Sequence, residues 1–208
     1  MLNTVLVRDI LERYQIRNGA LLSDMLRYVA SNIGYPTSTN KMARHLRKER
    51  TSLAFETVRE YLGYFRNAFF IDAPAWSDIL GKKHLELHEK YYFTDIGIRN
   101  GLVGYRDEYL GQILENVVYN ELVFRGYSVK IGRIGSLEVD FVAEKPGEKL
   151  YVQVAYLLSS PETADREFAP LEKIPDNYRK MVLSMDADWG NGRNGIERKQ
   201  VEDWLLEG

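Results

Sequence analysis

One hairpin-like stretch carries the residues whose types and spacing could do chemistry. "EVDFVAEKPGEKLYVQVAY", Glu138 to Tyr156, reads as two β-strands joined by a Pro-Gly turn. Asp140 sits between Val139 and Phe141 in the first strand, and Gln153 stands among apolar neighbours in the second. A polar group buried at either place needs a ligand, an ion or a hydrogen-bond network. Strand residues two apart share a face, so Glu138 and Asp140 are expected on one side and Val139 and Phe141 on the other. Tyr151, Gln153 and Ala155 share a face in the same way, and a turn through "KPGE" brings Asp140 beside Gln153. Glu115, at the edge of the apolar stripe of the preceding helix, is a third candidate. Together these could offer oxygen donors to a divalent cation. The alternative is structural: Asp140 caps the "IGS" turn or pairs with Arg133, and Gln153 satisfies nearby backbone.

Other polar signals carry less. Glu121 falls within an apolar stripe, where an ion pair or hydrogen bond is its simplest role. "HLELH" places His84 and His88 four apart, with Glu86 between, but no third and fourth ligand is evident and a polar strand is the reading kept. There is no G-x-x-x-x-G-K-[ST] phosphate loop, and three histidines without cysteine assemble no nucleophilic triad. The lack of cysteine also excludes a disulfide framework and thiolate metal sites, and fits a cytoplasmic setting. No apolar run reaches the length of a membrane span.

The elements that must hold these residues fall into two groups. Net charge is −2, yet the residues up to Ala73 hold 11 Lys+Arg against 7 Asp+Glu, so a basic first third precedes an acidic remainder. An anionic partner for that third follows. "NTVLVRDILERYQIRN", "GALLSDMLRYVASNIG", "STNKMARHLRKER" and "FETVREYLGYFRNAFF" show helical spacing, with Ser38 as an N-cap and Gly34 as a stop. The last three, followed by "FFIDAPAW" and "HLELHEKYYFTD" as strands around "ILGKKH", give the layout of a winged helix-turn-helix. "FETVREYL" would then be the recognition helix and "ILGKKH" the wing. Arg44, Arg47, Lys48, Arg50, Arg59, Lys82 and Lys83 are the candidate phosphate contacts. Against this, "RHLRKER" also suits a solvated helix face, and Glu56 and Glu60 would repel DNA.

From Asp107 the pattern becomes helix, three strands, helix, strand, helix, which predicts an α/β unit with a mixed sheet flanked by helices. Leu110, Ile113, Leu114, Val117 and Val118 are the expected stripe of its first helix. Ser160 before Pro161 caps the second, "RKMVLSMD" is the last strand, and "ERKQVEDWLLEG" is the closing helix. The expected domains are residues 1–105 and 106–208.

Several phrases together resemble the C-terminal half of a group of prokaryotic AAA+ ATPases. They are "LNTVLVRDILERYQIRN", "SNIG", "TVREYLGYFRNAFFI", "KYYFTDIGIRNGL", "LENVVYNELVFRGY", "EVDFVAEK" and "YVQVAYLL". The resemblance implies a fold that is α/β in class (α+β overall). A lid remnant and winged helix-turn-helix would precede a domain of unknown function with a PD-(D/E)XK nuclease-like sheet. It implies that Glu115, Asp140 and Gln153 stand at the catalytic, metal-binding positions, which take Mg²⁺ where the site is active. Two family residues differ: the third-motif acid is Gln153 and the lysine is Ala155. Gln153 removes a negative charge and Ala155 removes the group that orients water, so a degenerate site is expected. ATP would bind only the N-terminal AAA+ domain, which is absent here and would be one partner. Three functions remain open: a DNA-binding regulatory region with an inactive nuclease fold, a Mg²⁺-dependent nuclease, or a module that docks a protein partner.

Overall fold

The computed structural model describes residues 2–47, 54–81, 88–187 and 192–207. The chain is mixed α/β and divides into two compact units, Met1–Ala73 with Leu87–Asp107, and Pro74–Glu86 with Glu108–Gly208. The expected boundary at 105/106 differs in one respect: residues 74–86 cluster with the second unit. No helix among the described residues is long and apolar enough to cross a membrane.

The first unit contains α1 (Leu2–Arg13), α2 (Gly19–Ser31), α3 (Thr39–Arg47), α4 (Phe55–Asn67) and α5 (Ile96–Val103). Asn18 starts α2 by accepting the Leu21 N–H at 3.1 Å, and Leu21, Leu22, Met25, Leu26, Val29 and Ala30 form its buried stripe. Gly34 follows with φ +70°, a conformation that costs glycine nothing. Ser38 accepts the Lys41 N–H and starts α3, which buries Met42, Ala43 and Leu46. Helix α4 buries Val58, Tyr61, Leu62 and Phe65. Strands β1 (Ile71–Asp72) and β3 (Tyr92–Phe93) pair antiparallel, and Thr37 exchanges two backbone bonds with Glu89.

The two segments expected to flank "ILGKKH" pair as β1 with β3, while Lys82, Lys83 and His84 of that stretch lie outside the described residues. β2 (Trp76–Asp78) leaves β1 and pairs in parallel with β4 (Ser128–Ile134) of the second unit. The Ile131 N–H donates to Ala75 O and the Ile79 N–H to Arg133 O, and the Arg133 guanidinium lies 5.3 Å from the centre of the Trp76 ring. Six strands in the order β2-β4-β5-β6-β7-β8 make the sheet, with β5 (Leu137–Lys145), β6 (Glu148–Val154), β7 (Arg179–Ser184) and β8 (Glu197–Gln200). The β4-β5-β6 pairings are antiparallel and the outer pairings parallel, as a mixed sheet requires. β8 occupies the first part of the segment expected to be the closing helix. Its backbone completes the sheet edge beside β7, and α8 is confined to Val201–Leu206.

Helix α6 (Leu110–Phe124) packs on β4, β5 and β6, and α7 (Pro161–Glu172) on β5, β6 and β7. The buried stripe of α6 is Asn116, Val118, Tyr119 and Leu122; Leu110, Ile113, Leu114 and Val117 stay half-buried, a rotation from the expected face. Ser160 caps α7 by accepting the Thr163 N–H.

The β4–β5 register slips by one residue, with Gly132 opposite Val139 but Lys130 opposite Val142. The extra residue lies in β5, at Asp140–Phe141, and breaks strict alternation. Val139 and Val142 therefore join one cluster with Phe168 and Leu171 of α7, whereas Phe141 meets Tyr119 of α6 at 5.8 Å between ring centres. The expectation that Val139 and Phe141 share a face is overturned by this bulge.

Gly132 makes the bulge possible. A Cβ there would lie 2.8 Å from Val142 Cγ2 and 2.9 Å from Val139 Cβ, both on stiff β-branched side chains. Gly132→Ala is expected to cost about 1–3 kcal/mol through overpacking, read as a lower midpoint in urea unfolding with an unchanged m-value.

Candidate functional site

Past the bulge, β5 and β6 part company. Their ladder runs from Lys145↔Glu148 to Phe141↔Val152, so the next pair in register is Asp140 opposite Gln153. Side chains take over there. The Asp140 carboxylate accepts the Val154 N–H at 2.8 Å, and the Asp140 N–H donates to the Gln153 side-chain carbonyl at 3.3 Å. Each side chain thus serves the backbone of the other strand and closes the fork. Both residues are buried.

The Gln153 amide donates to Glu167 Oε2 at 3.2 Å, and Arg166 donates to the other Glu167 oxygen at 2.8 Å. Glu167 is a buried carboxylate that the sequence reading passed over. Its signal was present: Ala164, Glu167, Phe168 and Leu171 follow helical spacing, which puts an acid on the apolar stripe of α7. Glu115 is half-buried on α6, one turn before the Tyr119 that packs on Phe141. Among the described residues, no three His, Cys, Asp or Glu side chains cluster closely enough to hold a metal ion. Ala155 is buried and donates its N–H to Leu183 O. Lys149, on the same strand, is 3.4 Å from Glu144 and 5.0 Å from the centre of the Tyr151 ring.

Glu121 forms the expected ion pair, with Arg125 at 2.7 Å. Arg125 also donates to Trp204 O and stacks over the Trp204 ring, tying α6 to α8. Of the proposed phosphate contacts, Arg44 is exposed on α3, and Arg59 is exposed on α4 with its guanidinium 5.0 Å from the Phe55 ring centre. The Arg47 side chain and Lys48, Arg50, Lys82 and Lys83 lie outside the described residues, as do His84 and Glu86 of "HLELH"; His88 is exposed.

The first unit also holds a groove of about 520 Å³ between α2 and α3, lined by Asp24, Arg27, Tyr28, Asn32, Lys41 and His45 among others. The rings of Tyr28 and His45 meet at 4.9 Å, and partial burial raises the Tyr28 phenol, keeping it a neutral donor.

A family model described as a domain of unknown function, DUF8612, matches residues 1–109. The chain belongs to that family. It is 34% identical to an uncharacterized protein of Haemophilus influenzae over 99% of its own length and 50% of the relative's. An uncharacterized protein of Methanocaldococcus jannaschii is 28% identical over 97% of the chain and 45% of that protein. The chain therefore spans about half the length of these curated relatives. No solved structure matches it.

Proposed function

We propose that this DUF8612 chain is the C-terminal, nucleic-acid-binding regulatory region of an AAA+ ATPase. In this reading the first unit is a winged helix that contacts DNA. The second unit is a PD-(D/E)XK-like fold whose chemistry has lapsed, and the protein works in the cytoplasm. Relatives about twice as long as the chain leave room in those proteins for a nucleotide-binding domain. The order α2, Thr37 bridge, α3, α4, β1, β3 supports the winged-helix reading. The closed Asp140–Gln153 fork supports a structural use of the former ligand positions.

The observation that carries DNA contact is the charge of α3. "TNKMARHLR" holds three cations and no acid, whereas α4 carries Glu56 and Glu60 on its exposed side. Duplex binding is therefore expected to weaken steeply with salt, as phosphate neutralisation by several cations demands. Arg44→Ala is expected to weaken binding about three- to tenfold for all sequences alike and to flatten the log K against log salt slope by about one. Binding that ignores salt, or an Arg44→Ala protein that binds as well as the parent in fluorescence anisotropy, removes this reading and leaves protein docking. A metal-dependent nuclease is the second reading, favoured by Glu167, which sets a further carboxylate beside Gln153.

A further inference from the structure

The α2–α3 groove shares helix α3 and its Lys41 with the basic face invoked for duplex contact, and Arg44 is not among its described lining residues. Asp24, Arg27 and Tyr28 stand at positions i, i+3 and i+4 of α2, so they line one side of the groove. Lys41 and His45, four apart on α3, line the other. Asn32 closes the end, with its amide held to Tyr28 O at 2.8 Å. No carboxylate among the described residues pairs with Arg27 or Lys41. Two exposed cations thus face one concavity against a single carboxylate among its described lining residues, Asp24, which leaves the groove favourable to an added anion.

Charge alone would suit any anion. The aromatic floor narrows the class. Tyr28 and His45 touch at 4.9 Å with ring planes tilted by 52°, and both line the groove that Arg27 and Lys41 also line. Aromatic faces beside cations are the usual platform for a base, which stacks while the phosphate meets Arg or Lys. The volume of about 520 Å³ falls in the range of small-molecule sites. We propose that the groove between α2 and α3 binds a nucleoside phosphate, with Arg27 and Lys41 on the phosphate and the Tyr28–His45 pair against the base. The ligand is either a free nucleotide or one nucleotide of a single strand; both present the same chemistry. The inference does not depend on duplex binding by Arg44 or on any role of the second unit.

The test is isothermal titration calorimetry of the 208-residue chain with AMP, with inorganic phosphate, and with a short single-stranded oligonucleotide. AMP is expected to saturate at or below about 1 mM, and phosphate to bind about tenfold more weakly for want of a base. Arg27→Ala and Lys41→Ala, both at exposed positions, should each weaken AMP about tenfold. Tyr28→Leu should bring AMP down toward the affinity of phosphate. An oligonucleotide that binds more tightly than AMP and displaces it identifies the strand as source, and AMP binding without it identifies the free nucleotide. The proposal is overturned if neither AMP nor the oligonucleotide saturates, or if binding is untouched in Arg27→Ala and Lys41→Ala. Duplex binding sensitive to Arg44→Ala but not to Arg27→Ala would leave the DNA reading standing on its own, so the two can fail separately.

Discussion

Asp140→Ala is expected to lower the stability of the second unit by about 2–3 kcal/mol. The substitution strands the half-buried Val154 N–H, and a lost charge-assisted bond with an unsatisfied donor costs about that much. For a unit of roughly 100 residues it corresponds to a fall of about 8–20 °C in the unfolding midpoint. All three tryptophans, Trp76, Trp189 and Trp204, belong to the second unit, so tryptophan fluorescence follows it selectively. Asp140→Asn keeps an acceptor for the Val154 N–H and should lose only about 1 kcal/mol. The sign of the change also separates the two readings of this residue. Carboxylates kept to hold a metal commonly carry a stability cost when the ion is absent, so removing one stabilises the protein. A carboxylate kept to close a β-fork destabilises when removed. An Asp140→Ala protein that unfolds at or above the parent's midpoint, with neither metal nor DNA added, would contradict the fork. Loss of Mg²⁺-dependent DNA cleavage in the same variant would instead establish the nuclease.

The meeting of Asp140 and Gln153 was legible because it needs only the period of a strand and a Pro-Gly turn of fixed length. The bulge between them and β4 was not. "EVDFVAEK" alternates no differently at a bulge than in a regular strand, and the cause lies in β4, where Gly132 leaves space for two valines. β2 was misplaced for a related reason. A three-residue strand states no partner, and Trp76 joins β4 through backbone bonds that the side-chain pattern does not encode. β8 was hidden because half-buried Glu197 to Gln200 have no apolar alternation to show, and only their pairing with β7 defines them. Glu167 was missed although its helical position announced it, because this helix was read from its cap and not from its buried face. For the bulge and for β2, local propensity was readable, and what the neighbour across the sheet supplied was not.

Helix α5 is the clearest omission, and it carries the other large expected effect. Gly97 and Gly101 weaken its propensity, and no helix was expected there. What fixes it is the Asp95 cap, which accepts the Gly97 N–H at 2.6 Å, and the fully buried Arg99. The Arg99 guanidinium donates to Ala30 O at 3.0 Å, Asn100 Oδ1 at 2.9 Å and Gly104 O at 3.1 Å. One planar fork thus joins the end of α2 to Asn100 within α5 and to the α5 C-cap at Gly104. Arg99→Ala removes these donors, leaves buried carbonyls without them and opens a cavity the size of a long side chain. The expected loss is about 3–5 kcal/mol, comparable to the whole stability of a small unit. Arg99→Lys restores charge but not the fork, since a single ammonium cannot reach carbonyls set at the angles of a guanidinium, and should recover less than half. The readout is selective. Helices α1 to α5 lie in the first unit, so circular dichroism at 222 nm should lose a large part of its amplitude in Arg99→Ala. Tryptophan fluorescence should still report a folded second unit. A variant with parental helix content and midpoint would show that Arg99 is a passenger in the core and that α5 docks through Leu102 and its neighbours alone.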